Sequence, residues 1–155
     1  MRVRLEHDQL QKLTAALVRA GTREIGGQLY GEQLAPSDFR IIELTVQSRP
    51  GTFVRFMVDL FQTACDATRF FDRTGHRYTR FNYLGEWHSH PSFEVQPSTI
   101  DIETMRQLVC DPLFRGNFAL LMIVRLNNGS LTKGAWVFDP QGTKQVITLE
   151  IIQNE

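Results

Sequence analysis

The sequence has few of the features that would restrict its class. Two cysteines, Cys65 and Cys110, occur in 155 residues and form no CxxC pattern, so a disulfide scaffold is not expected. We predict that both are reduced structural thiols, buried on helices. No apolar run approaches the ~18 residues of a membrane span, and the first residues, MRVRLEHDQLQK, lack the apolar core of a signal peptide. We therefore expect a cytoplasmic protein without a membrane partner.

The sequence also has no excess of charge. Lys plus Arg and Asp plus Glu each number 17, for a net charge of zero, and a neutral chain has no overall field to attract nucleic acid. The arginine- and aromatic-rich stretch 69–80 (RFFDRTGHRYTR) is therefore interpreted as a solvated connection or a partner-binding edge. The chain is 42% hydrophobic with eleven Phe, which indicates a packed core in one domain spanning residues 1–155.

Hydrophobic periodicity predicts an α+β fold. Apolar residues recur at helical spacing in 7–20 and about 58–73, and a third helix is expected from the Ser98 cap to about Cys110. Alternating or β-branched segments predict strands at 25–31, 40–47, 80–88, 118–125, 131–138 and 144–151. Because this order lacks regular βαβ alternation, we expect a mixed, largely antiparallel sheet with helices packed around it.

Two of the four histidines lie one residue apart in GEWHSHP. On a strand, His88 and His90 point to the same face, so both imidazoles can reach one metal ion. The pair alone is equally compatible with no metal at all. Downstream, however, the sequence continues as His-x-His-x7-Ser-x2-Asp, through Ser98 and Asp101. Ser98 and Asp101 also have the spacing of a capping box at a helix start.

This constellation resembles the signature of the JAMM (JAB1/MPN+) zinc metalloproteases, with Glu24 before Gly26-Gly27 in the place of the family's upstream glutamate. The resemblance covers essentially the whole chain and implies the cytidine-deaminase-like JAB/MPN fold, a curved mixed sheet wrapped by helices. It implies one Zn²⁺ per chain, bound by His88, His90 and Asp101 with a water in the fourth position.

The same resemblance implies two catalytic residues. Glu24 would act as general base on the water, and Ser98 would donate a hydrogen bond to the oxyanion. Two other glutamates compete with Glu24 for the role of base: Glu86, on the same strand face as His88, and Glu32. Glu24 is preferred to Glu86, because the family commonly has an apolar residue at the position of Glu86. Glu86 could instead support a ligating histidine or be an exposed charge. His7 and His76 are interpreted as surface residues, and Trp87 and Trp136 as core residues.

The resemblance also implies what the chain acts on. Members of the family hydrolyse amide or isopeptide bonds at the C-terminal tail of ubiquitin-like proteins, and GEWHSHP is similar to bacterial JAB peptidases of anti-phage operons that encode activating and conjugating enzymes. We therefore expect a deconjugating peptidase whose partner is the tail of a ubiquitin-like or otherwise conjugated protein. C-terminal maturation of a sulfur-carrier ubiquitin-like protein and a non-catalytic MPN scaffold are the alternatives.

Overall fold

The computed structural model describes residues 1–47 and 60–153. In these residues lie three helices and eight strands, which follow one another along the chain as β1 Arg2–Glu6, α1 His7–Ala20, β2 Gly26–Ala35, β3 Asp38–Leu44, α2 Leu60–Arg73, β4 Phe81–Ser89, α3 Thr99–Cys110, β5 Ala119–Asn127, β6 Ser130–Phe138, β7 Lys144–Ile147 and β8 Leu149–Ile152. The prediction for residues 58 and 59 lies outside the described residues.

The described strands form one mixed sheet in the order β7-β6-β5-β4-β2-β3-β1-β8. The pairs β2–β3, β2–β4, β5–β6 and β6–β7 are antiparallel, and β1–β3, β1–β8 and β4–β5 are parallel. The strands β7 and β8 lie at opposite ends of this order although only Thr148 separates them. The sheet must therefore curl until its two ends nearly meet.

Two strand predictions need correction. The single strand expected at 144–151 is two strands, since 144–147 pairs with β6 and 149–152 pairs with β1. The strand β1 was not predicted, although Val3 and Leu5 are buried and alternate with charged residues. A two-residue alternation over five positions is a weak signal. The strand is stabilised by pairing with β3 and β8, which the local sequence does not reveal.

The sheet has helices on both faces. Amphipathic α1 ends at Gly21, as predicted, and buries Leu13 and Leu17 in a core with alternate residues of β5 such as Leu120 and Met122. The intervening residues of β5 pack on the other face in a second core with Met105 and Val109 of α3, together with Trp136. A third cluster packs Phe70 of α2 on Tyr30, with ring centroids 4.7 Å apart.

The isolated predictions have mixed outcomes. Trp87 and Trp136 are buried core residues, as expected. Cys65 and Cys110 are free thiols on α2 and α3, but both are exposed, so the expectation of burial was wrong. No described helix is long and apolar enough to span a bilayer.

Strand β4 contains a bulge at its centre. Leu29 pairs with Gly85 and Tyr30 with Tyr83, which leaves Leu84 as an extra residue on β4. Gly85 has a φ of +152°, and a Cβ there would lie 1.9 Å from the carbonyl oxygen of Leu120. Only glycine fits this backbone, because both the φ angle and the space exclude a side chain.

We expect Gly85→Ala to lower the free energy of unfolding by about 3–4 kcal/mol, because it adds overlap with β5 to backbone strain. Gly75→Ala is the matched control, since Gly75 also has a positive φ, +65°, but nothing lies within 4 Å of its Cβ position. The control should lose only about 1–2 kcal/mol. Urea denaturation measures both, and equal losses would contradict the steric role assigned to Gly85.

Candidate metal centre

The end of β4 delivers the two histidines to one face of the sheet. Trp87, on the opposite face, is fully buried, and its indole Nε1–H donates to the carbonyl of Thr45 at 2.8 Å. The backbone N–H of His90 donates to the carbonyl of Val124 on β5 at 2.9 Å. These contacts hold β4 from both sides, so the histidine side chains are held on a backbone with little freedom.

Helix α3 delivers Asp101 in its first turn. The backbone N–H of Asp101 donates to the Ser98 hydroxyl at 3.2 Å, and the backbone N–H of Ser98 donates to Asp101 Oδ2 at 2.7 Å. This reciprocal pair is the predicted capping box. Since Oδ2 takes part in the cap, Oδ1 is left to face His88. Capping therefore occupies one oxygen of the carboxylate and leaves the other available to a metal ion.

The three side chains have the spacing of a zinc site. The Nε2 atoms of His88 and His90 are 3.0 Å apart, Asp101 Oδ1 is 3.3 Å from His88 Nε2, and Oδ2 is 3.7 Å from His90 Nε2. Two atoms bound ~2.0–2.1 Å from one zinc at the tetrahedral angle are ~3.3–3.4 Å apart. Two imidazole nitrogens and one carboxylate oxygen therefore suit Zn²⁺ in both type and spacing.

A backbone carbonyl sets the tautomer of His90. Its Nδ1 lies 2.9 Å from the carbonyl oxygen of Glu94, and because a carbonyl can only accept, Nδ1 must carry the proton. In the neutral ring, Nε2 then presents a lone pair towards His88 and Asp101. The sequence reasoning missed this contact, since it depends on the path of the loop that follows Pro91.

The charge of the site favours ionised Asp101. Burial alone would raise the pKa of its carboxyl, but the hydrogen bond and charge of His88 and the hydrogen bonds of Ser98 lower the pKa to about 2. Asp101 is therefore a carboxylate at neutral pH, the form that binds metal. Its side chain is 18% exposed, against 14% for His88 and 10% for His90, so solvent reaches the centre.

Glu24 lies at the entry to β2. Gly26 pairs with His88, and Ile25 is joined to Ser89 by two bonds: Ser89 N–H to the Ile25 carbonyl at 2.8 Å, and Ile25 N–H to the Ser89 hydroxyl at 3.0 Å. Continuing this register places Glu24 opposite His90, on the face of the metal cluster. In the described part of the chain, no hydrogen bond or ion pair joins the Glu24 carboxylate to the cluster, so its catalytic role stays a prediction.

Gly26 is required by this arrangement. A Cβ on it would lie 2.3 Å from the carbonyl oxygen of Trp87 and 3.0 Å from the Cβ of His88. The Gly26-Gly27 pair beside the predicted glutamate therefore has a steric reason, because any side chain at Gly26 would push β2 away from the histidine strand. The buried Ser89 hydroxyl, which sequence reasoning did not single out, closes the same junction.

The two competing glutamates have different surroundings. Glu32 pairs with Phe81 at the far end of β4 from His88, and it is buried in ion pairs with Arg40 and Arg80. Burial would raise its pKa, but the hydrogen bonds and charges of both arginines lower it below the ordinary value. Glu32 is thus a structural anion and not a base for this centre.

Glu86 is half-buried beside the centre and is not an exposed charge. Burial raises the pKa of its carboxyl, while the charge of His88 and a hydrogen bond with Tyr83 act against that shift. The partner Gln28, which pairs with Glu86 across the sheet, already binds Thr45 and Thr63. Glu86 therefore borders the metal ligands without belonging to the three-residue cluster.

Comparison with known proteins agrees with this fold. The family model of prokaryotic homologs of the JAB domain matches residues 6–138. A solution structure of a Desulfitobacterium hafniense protein is 19% identical, with a TM-score of 0.67, and covers 99% of this chain and 93% of its own. A solution structure from Salinibacter ruber is 19% identical, with a TM-score of 0.58 and coverages of 98% and 92%.

The crystal structure of a JAB1/MPN domain protein from Archaeoglobus fulgidus is 16% identical, with a TM-score of 0.52, and covers 97% of this chain and 98% of its own. No protein with a curated description matches the sequence. The fold is that of JAB/MPN proteins, and the His88–His90–Asp101 cluster can hold a metal ion. The chain belongs to the family of prokaryotic homologs of the JAB domain.

We expect purified protein to bind one zinc ion per chain, measured by elemental analysis and by competition with a chelator. His88→Ala or Asp101→Ala removes a proposed ligand. Zinc binding should therefore weaken by more than the loss of about 10- to 100-fold that is typical when a residue supporting a ligand is removed. His76→Ala is the control, because the His76 side chain is exposed and hydrogen-bonds only Tyr78 and Asp72 among the described residues. Unchanged zinc binding in both cluster variants would rule out this centre.

Proposed function

We propose that this chain is a zinc-dependent isopeptidase that hydrolyses the bond after the C-terminus of a ubiquitin-like or otherwise conjugated protein. The observation that carries the proposal is the convergence of His88, His90 and Asp101 on one solvent-reached point. Three protein ligands with a free fourth position are typical of catalytic zinc, whereas structural zinc usually has four protein ligands.

A zinc ion held there would supply Lewis acidity and lower the pKa of a coordinated water to about 7. Glu24, on the same sheet face, would accept the proton of the attacking water. As the carbon–nitrogen bond breaks, Glu24 would return that proton to the leaving amine. The buried Ser89–Ile25 junction supports this role, because it holds the backbone next to Glu24 against the histidine strand.

Ser98 would stabilise the developing oxyanion. Its Oγ accepts from the backbone N–H of Asp101, and its single O–H, which can rotate, would turn from the Asp101 carboxylate to the oxyanion. A preorganised donor of this kind contributes about 10²- to 10³-fold in rate. Since α3 positions both Ser98 and Asp101, the helix cap would set the distance between oxyanion donor and metal ligand.

The proposed substrate follows from the family resemblance. An extended, glycine-ended tail is narrow enough to lie against a sheet and reach a metal centre at the end of a strand. We propose removal of a conjugated protein in a bacterial anti-phage system as the biological setting. Maturation of a sulfur-carrier ubiquitin-like protein is the alternative that uses the same hydrolysis, on a linear C-terminal extension. A non-catalytic scaffold would cleave no bond.

Two matched substrates test the proposal: a lysine-linked conjugate of a ubiquitin-like protein, and the same protein with a linear C-terminal extension. We expect wild type to cleave the conjugate, and Glu24→Gln to lower kcat about 10²- to 10⁴-fold with zinc content unchanged. Cleavage of the linear precursor alone would favour maturation. If zinc-loaded wild type cleaves neither substrate, the isopeptidase proposal fails and the non-catalytic scaffold is the function that remains.

The two roles of Ser98 can be separated by two substitutions. Ser98→Ala should destabilise the protein by about 1 kcal/mol because the helix cap is lost, whereas Ser98→Gly should cost only a few tenths of a kcal/mol. Both remove the hydroxyl, so kcat should fall about 10²- to 10³-fold in each. A kcat that stays near wild type in Ser98→Gly would mean that Ser98 only caps α3.

A further inference from the structure

Glu86 is the residue of GEWHSHP that the proposed mechanism leaves without a role. It lies two residues before His88 on β4, so the two side chains leave the same face of the sheet. Across the sheet Glu86 pairs with Gln28 and Leu121, and His88 pairs with Gly26 and Ile123. Because neighbouring paired residues share a face, the Glu86 carboxylate lies beside the metal cluster and not in the core around Trp87.

The bulge in β4 brings Tyr83 to the same face. In a regular strand, residues three apart point to opposite faces. Here Tyr83 pairs with Tyr30 and Glu86 pairs with Gln28, two residues apart on β2, so the extra residue Leu84 puts Tyr83 and Glu86 on one side. Tyr83, Glu86 and His88 therefore follow one another along one face of β4. The bulge thus places a phenol hydroxyl, which can donate a hydrogen bond, on the same face as the Glu86 carboxylate.

The half-buried position of Glu86 needs an electrostatic partner. Placing a carboxylate away from water costs free energy unless hydrogen bonds or opposite charge compensate it. Tyr83 offers a hydrogen-bond donor on one side of Glu86, and on the other side His88 attracts the carboxylate when the imidazole carries positive charge. A divalent cation on His88 would provide the same attraction permanently, since the ligand then lies between the carboxylate and the metal.

We propose that Glu86, which lies between Tyr83 and His88 on one face of β4, is a positioning residue that strengthens the bond of His88 to the metal. The inference rests on the zinc centre of the proposed function. Carboxylates beside a ligating imidazole raise its basicity and restrict its orientation, and losing one typically weakens metal binding about 10- to 100-fold. Gly85, which permits the bulge, and Glu86, which follows it, would then act together on the position of His88.

Zinc affinity and the cobalt spectrum test the proposal without using activity. Wild type, Glu86→Gln, Tyr83→Phe and the control Glu103→Gln are titrated with zinc against a chelator, and each is loaded with Co²⁺ for its visible absorption. Glu103 lies exposed on α3 and bonds Gln107. We expect Glu86→Gln to lose about 10- to 100-fold in zinc affinity with a shifted cobalt spectrum, Tyr83→Phe to change less in the same direction, and Glu103→Gln to match wild type.

The outcomes separate this inference from the proposed function. Wild type that binds no zinc would overturn both. Zinc-binding wild type with an unaltered affinity and cobalt spectrum in Glu86→Gln would overturn the positioning role alone. A loss of more than about 100-fold in kcat with unchanged zinc affinity would identify Glu86 as the proton acceptor and also overturn it. If Glu86→Gln does not fold, Tyr83→Phe decides by the same two measurements.

Discussion

Strands β2 and β4 pair antiparallel through Gly26 and His88, so closely that a Cβ on Gly26 would lie 2.3 Å from the carbonyl oxygen of Trp87. The candidate site depends on this contact. It places the residues before β2 against the end of β4, where the Ser89 hydroxyl accepts a hydrogen bond from the Ile25 backbone N–H. It also turns Trp87 into the core, which leaves the histidines on the opposite face. One backbone approach therefore organises the core side and the site side of β4 together.

The third residue of the cluster, Asp101, comes from a different element, and a helix cap fixes its position. Asp101 is fixed by the reciprocal bonds with Ser98 before any metal is considered. A carboxylate in the first turn is also favoured by the helix dipole. Asp101 is therefore held beside the two histidines for reasons of helix stability alone. Preorganisation of this kind reduces the entropy that metal binding would otherwise have to overcome.

Local patterns in the sequence were sufficient where an element has a strong signal of its own. Helix α1, the capping box at Ser98 and the continuous apolar strand β5 were predicted because propensity and periodicity agree there. The short strand β1 was missed, and the segment 144–151 was predicted as one strand, because their pairing partners lie far along the chain. Register and sheet closure are non-local, so they have weak local signatures.

Some features of the candidate site could likewise be predicted from the sequence, and others could not. The spacing His-x-His-x7-Ser-x2-Asp determined which residues could bind a metal and which helix would carry the last of them, because strand and helix periodicity fix the direction of side chains. Only the tertiary structure decided that Glu32 belongs to an arginine cluster, that the Glu94 carbonyl sets the His90 tautomer, and that a bulge brings Tyr83 to Glu86. The Glu32–Arg80 pair and the bulge arise from pairing of segments distant in sequence, and the local His90–Glu94 contact depends on the path of the loop after β4. Such contacts exist only once the strands have paired and the sheet has curled.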